Sequence, residues 1–156
     1  MKAIKCLKPG GLEVLELVSV PIPIPSANEV LIKVHATALN RADILQRKGL
    51  YNPPIGTTDI LGLECSGVIH SGNSQWSPGS KVMGFLRGGG YAEYVTVHKD
   101  HVLPMPSNLN FIQAAGVAEV WLTAYKCLFY LAKAQKENCF NPCRSQWRRY
   151  CSYTTC

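Results

Sequence analysis

A mainly β domain that gives way to helices near its C-terminus is the fold that the sequence predicts. Three observations carry this. Apolar and polar residues alternate in short runs through roughly the first hundred positions. Proline and glycine turns separate those runs. At Asn110 the pattern changes to a stretch rich in alanine, leucine and aromatic residues. The chain's 156 residues leave room for one domain of ordinary size, or a domain and a fragment of another.

Lys2–Leu7 and Glu13–Val20 read as strands on either side of a Pro9-Gly10-Gly11 turn. Residues 20–25 alternate with proline and must be extended, because each proline drives its predecessor out of the helical region. Val30–Ala38 is the cleanest strand: Val30, Ile32, Val34 and Ala36 fall on one face, Lys33, His35 and Thr37 on the other. Asn40–Lys48 reads as a short helix, with Asn40 able to cap it and Gly49 to end it. Residues 51–56 are loop. Leu63–His70, Lys81–Leu86 and Tyr91–His98 are further strands. Asn110 and Gln113 resemble a capping box, and Phe111–Val117 and Val120–Ala132 read as helices.

Composition narrows the classes. Apolar residues make up 47% and charged residues 17%, which excludes a disordered or collagen-like chain. No apolar run reaches the roughly 18 residues of a membrane helix. The lysine-broken N-terminus is too short for a secretory core. The expectation is a cytoplasmic protein with no membrane partner. The net charge of +6 is not evenly spread: +2 falls in the twenty residues after Lys136 and +4 is scattered over the rest, with no basic run or stripe, so no nucleic-acid partner is expected. Cys6, Cys65 and Cys127 read as isolated reduced thiols. Cys139, Cys143, Cys151 and Cys156 crowd the tail at spacings unlike paired zinc ligands.

Several motifs occur together in order: Val34-x-Ala36-x-Ala38-Leu39-Asn40-Arg41-Ala42-Asp43, Tyr51-Asn52-Pro53-Pro54, Leu61-Gly62-Leu63-Glu64-Cys65-Ser66-Gly67, Pro78-Gly79-Ser80-Lys81-Val82, Gly89-Gly90-Tyr91-Ala92-Glu93-Tyr94 and Ala114-Ala115-x-x-x-Glu119-x-Trp121-Leu122-Thr123-Ala124. Over residues 1 to about 136 the chain resembles the zeta-crystallin-like quinone oxidoreductases, zinc-free members of the medium-chain dehydrogenase/reductase superfamily. It is most like their tumour-suppressor-inducible branch. The resemblance implies a GroES-like β-barrel catalytic domain over residues 1–109, and helices over 110–136 leading to a Rossmann domain. It also implies NADPH as cofactor, a quinone as substrate, and room for a homo-oligomer in the full-length family.

The resemblance also assigns site residues. Zinc-dependent relatives carry a cysteine where Asn40 stands and a histidine where Leu63 stands, and neither replacement can bind zinc, so no metal is expected. Tyr51, Asn40 and Asp43 are the candidate catalytic residues; Asn40, Tyr51 and Thr123 are the candidate cofactor contacts. Each has a plainer reading. Tyr51 could be a loop tyrosine packed on Pro53-Pro54. Asn40 and Asp43 could be a helix cap and first-turn carboxylate, and Thr123 a core helix hydroxyl. Ala118 departs from the family pattern, which has proline there, and puts the helix boundary in question.

After Lys136 the resemblance stops. Residues 137–156 lack strand alternation and any Gly-x-Gly-x-x-Gly turn. Back-translated from Asn138 with permitted synonyms and read from the second nucleotide, they yield TVLIHAGANGVGTAAIQL, which has the form of the family's strand, phosphate turn and helix start. The expectation is an aberrant, out-of-frame, disordered tail, a missing Rossmann domain and weak cofactor binding. The chain is then an oxidoreductase by resemblance and inactive as it stands, or a non-catalytic fragment that binds a full-length partner or is degraded.

Overall fold

The computed structural model describes residues 1–134. The expected tail, with its four cysteines, lies outside the described residues. Two compact units divide the chain after Leu122.

The first unit is the β domain. Strands β1 (Lys2–Cys6) and β2 (Leu15–Ser19) form an antiparallel hairpin that sets Lys2 opposite Ser19. The second strand starts later than the alternation suggests. Leu12–Val14 make a 3-10 turn, held where the Gly11 N–H donates to Glu13 Oε1 at 2.8 Å. Next come β3 (Glu29–Thr37), helix α1 (Arg41–Arg47), β4 (Glu64–Ser71), β5 (Lys81–Phe85), β6 (Tyr94–His98) and β7 (Val102–Pro104). The five later strands form one antiparallel sheet in the order β6-β3-β4-β5-β7, curled into a half-barrel. The hairpin joins it through isolated bridges from Ala3 to Ala92 and from Lys5 to Ile60.

That junction explains one difference from the sequence reading. Residues 91–93 alternate like a strand, yet their backbone groups serve the hairpin: Ile4 N–H donates to Tyr91 O, and Glu93 N–H to Lys2 O. Strand β6 therefore begins at Tyr94. Strand β7 and the Lys99–His101 3-10 turn before it escaped the sequence reading, because three residues are too short for periodicity.

The core sits under the curled sheet. Val30, Ile32, Cys65, Ile69 and Val82 are buried there. Fully burying such side chains stabilises by about 1.5–3 kcal/mol each. Leu31 is buried as well, off the predicted face, because the register shifts between Leu31 and Ile32. Gly67 is required by closeness rather than by a turn. A Cβ there would stand 2.1 Å from the Lys33 carbonyl oxygen of the neighbouring strand. Gly67→Ala should therefore lower stability by about 2–3 kcal/mol, read as a shift of the urea midpoint.

Helix α2 (Phe111–Ala115) opens with the expected capping box. Gln113 N–H donates to Asn110 Oδ1 at 2.9 Å, and Asn110 N–H donates to Gln113 Oε1 at 3.0 Å. It ends at Ala115, two residues before the expected Val117, with Gly116 as its C-cap. Helix α3 (Val120–Tyr125) follows, so the break between the helices stands with Ala118 in place of proline. Ser66 Oγ donates to Phe111 O, and the His35 ring stacks on Phe111 at 4.3 Å, fixing α2 to the sheet. In the second unit, beginning at Thr123, the helical run does not continue as an α-helix. Lys126–Leu131 wind as a π-helix, with Tyr125 and Phe129 rings 5.0 Å apart. No helix among the described residues is long and apolar enough to cross a membrane.

Candidate functional site

The candidate site is built where β3 ends, α1 begins and β4 starts. Asn40 is the residue before α1, with extended backbone, and Asp43 lies in the helix's first turn. Both are buried. Asn40 N–H donates to Asp43 Oδ2 at 2.8 Å, half of a capping box. Asp43 also accepts from Gly62 N–H at 3.2 Å on Oδ1 and from Tyr91 OH at 3.1 Å on Oδ2. One carboxylate thus holds the start of α1, the Gly62 turn and the Tyr91 ring together. Gly62 sits at φ +103°, and a Cβ there would meet Tyr91 N at 2.7 Å, so only glycine lets this turn close on Asp43.

Glu64 is the residue that sequence reasoning passed over. It is fully buried. Its Oε1 accepts from Asn40 Nδ2 at 2.9 Å and its Oε2 from Glu119 N–H at 2.9 Å, just before α3. A charged residue on a strand whose neighbours are all apolar or small was the available signal; burial of that kind requires partners. The acids act on their neighbours. The Glu119 carboxyl is raised above the usual carboxylate range by burial, then by the Glu64 and Asp43 charges. The Tyr91 phenol is raised above the ordinary tyrosine range by burial first and by Asp43 next. Burial pushes the Cys65 thiol up to about 12, which leaves it unreactive.

The structure therefore brings Asn40 and Asp43 together, in a network with Glu64, Tyr91 and Glu119. Tyr51 lies in the loop after Gly49 and is 37% exposed. Thr123 lies in α3 at the start of the second unit and is exposed, so it is not a core hydroxyl. Position 63 holds a buried leucine, and the Asn40 amide nitrogen faces Glu64. Among the described residues, no group of three or more His, Cys, Asp or Glu side chains is arranged to hold a metal ion. A cleft of about 510 Å³ lined by Thr57, Arg87, His98 and His101 includes none of these site residues.

The curled antiparallel sheet with helix α1 between β3 and β4 has the architecture of a GroES-like domain. The family model for the alcohol dehydrogenase GroES-like domain matches residues 26–107, and the chain belongs to that family. Within it the chain is a homologue of the quinone oxidoreductases. It is 36% identical to mouse quinone oxidoreductase over 146 residues, covering 86% of this chain and 42% of that protein. The Thermus thermophilus quinone oxidoreductase, solved also in complex with NADPH, matches with 36% identity and a TM-score of 0.72 over 86% of this chain and 42% of its own. The human synaptic vesicle membrane protein VAT-1 homolog-like protein matches at 31% identity with a TM-score of 0.81, over 86% and 45%. The chain thus spans less than half the length of the relatives it matches.

Proposed function

We propose that this chain carries the quinone-facing half of a zinc-free, NADPH-dependent quinone oxidoreductase, and that it is inactive on its own. The buried Asn40–Glu64–Asp43 network carries the reading, because it builds a rigid polar rim at the position where zinc-dependent relatives place a metal ligand. When bound, NADPH supplies the hydride. The described residues fit only the nicotinamide end of that cofactor. Their one run of three glycines is buried, and Gly89 N–H and Gly90 N–H already donate to Ile60 O and Gly62 O, so that run cannot cradle a pyrophosphate. Asn40, Tyr51 and Thr123 would make the nicotinamide-side contacts.

In this reading Tyr51 stacks on the quinone and donates its O–H to the oxygen that gains charge. Asn40 offers the amide hydrogen that Glu64 does not use. Asp43 acts from beneath, holding Asn40 and the Gly62 turn in place. The quinone gains a hydride and then a proton to become a hydroquinone.

Calorimetry tests this directly. The isolated chain should show no micromolar affinity for NADPH. Residues 1–134 joined to a nucleotide-binding half, from the restored reading frame or from a relative, should bind it and oxidise it when quinone is added. Micromolar binding by the isolated chain would sink the argument. Elemental analysis should find no stoichiometric zinc in the reduced protein, and near-equimolar zinc surviving mild chelation would overturn the metal-free reading.

One observation favours the second reading, a non-catalytic binding fragment. Helix α3 exposes Val120, Trp121, Leu122 and Tyr125, whereas a helix so apolar is ordinarily covered. Sedimentation separates the two: a monomer at micromolar concentration speaks against a binding role, whereas a stable homo-oligomer or complex with a full-length relative supports it.

A further inference from the structure

We propose that Glu64 is the positioning residue of this site: one buried carboxylate that orients the Asn40 amide with one oxygen and anchors the start of α3 at Glu119 with the other. Its importance for turnover rests on the reading of Asn40 given above; its structural role does not.

Three features carry the proposal. Glu64 is wholly buried, at the first position of β4, where Thr37 Oγ1 also donates to its backbone oxygen at 2.7 Å. A carboxylate in such a place is costly unless its oxygens are satisfied. Among the described residues no lysine or arginine forms a salt bridge with it; neutral N–H groups donate hydrogen bonds to its oxygens instead. Those two donors come from positions 24 and 55 residues away in sequence, so one side chain ties the residue before α1 to the residue before α3.

The chemistry then fixes a direction. An asparagine amide can be turned over with little change in shape, and its neighbours decide which end faces where. Because both Glu64 oxygens accept, the nitrogen of Asn40 must face Glu64. One amide hydrogen is spent there, and the other is the one that the proposed function assigns to substrate or cofactor. The same carboxylate holds Glu119, whose own carboxyl is raised in part by the Glu64 charge. The titratable groups that feel the Glu64 charge are Glu119, Tyr91 and the neighbouring Cys65, and Asp43 acts on Glu119 and Tyr91 as well.

The test exchanges donors and acceptors. Glu64→Gln presents an amide to two N–H donors and can satisfy only one of them. In the 156-residue chain, exchange of the Glu119 backbone amide should speed up by about tenfold or more, and the Asn40 side-chain resonances should shift. The double variant Asn40→Asp with Glu64→Gln reverses the pattern. The new glutamine donates to the new carboxylate while its oxygen accepts from Glu119 N–H. Glu119 protection should return to within about threefold of the parent.

Unchanged exchange in Glu64→Gln, or no recovery in the double variant, overturns the proposal. If Glu64→Gln does not fold, the double variant decides alone: folded with Glu119 protected supports the role, and unfolded ends it. Quinone turnover after addition of a nucleotide-binding half separates the two readings. The double variant lacks the amide hydrogen at position 40 and should stay slow although its structure is restored. Restored structure with full turnover would leave Glu64 as the positioning residue and remove Asn40 as a substrate or cofactor contact.

Discussion

Asp43→Ala should cost the folded chain about 3–5 kcal/mol, seen as a large drop in the urea midpoint. The reason is what the carboxylate leaves behind. Asn40 N–H, Gly62 N–H and Tyr91 OH all donate to it from buried or half-buried positions. Each donor stranded without water costs about 1–3 kcal/mol, and only the Tyr91 hydroxyl can turn elsewhere. Asp43→Asn should fall between the two, because its oxygen still accepts while its new N–H₂ group faces a donor. The Tyr91 titration supplies an independent check. Asp43 is the second cause of its raised pKa, after burial. Loss of Asp43 should therefore lower that pKa while leaving it above the ordinary 10.0. The sign for stability follows. The phenol is held neutral in the folded chain, so its contribution is full below about pH 10 and is lost as pH rises through the folded value. An alanine variant as stable as the parent would show that the Asp43 contacts carry no net energy.

The second large effect is on chemistry. Tyr51→Phe, in the chain joined to a nucleotide-binding half, should lower quinone turnover about tenfold or more, some 1.4 kcal/mol, with the fold unchanged. Tyr51 precedes Pro53-Pro54, which stiffen the loop on its C-terminal side. The exposed ring can accept a planar substrate at low entropic cost. A phenol that stabilises charge appearing on the quinone oxygen acts mainly in the transition state, so its loss should show in kcat more than in KM. Tyr51→Ala should raise KM as well, because the stacking face goes with the hydroxyl. Full turnover in Tyr51→Phe with weakened binding in Tyr51→Ala would assign the ring and dismiss the donor. Parent behaviour in both would make Tyr51 a loop residue only.

The sequence by itself determined the β domain and the order of its strands as far as β6, because those depend on local physics. Alternation sets β3, the Pro-Gly turns set the strand ends, and the Asn110–Gln113 pair sets the start of α2. Asn40 and Asp43 were legible too, since three-residue spacing at a helix start brings them together whatever surrounds them. The tertiary structure decided the rest. The pairing of residues 91–93 with the hairpin, rather than within β6, depends on contacts about ninety residues apart in sequence. The burial of Leu31 depends on a register shift that no periodicity records. Glu64 is the clearest case. In the sequence it is one acid between Leu63 and Cys65, with nothing local to give it a role. Its role comes from Asn40 and Glu119, which only the folded chain brings to its two oxygens, because hydrogen bonds between distant residues exist only after the chain has folded.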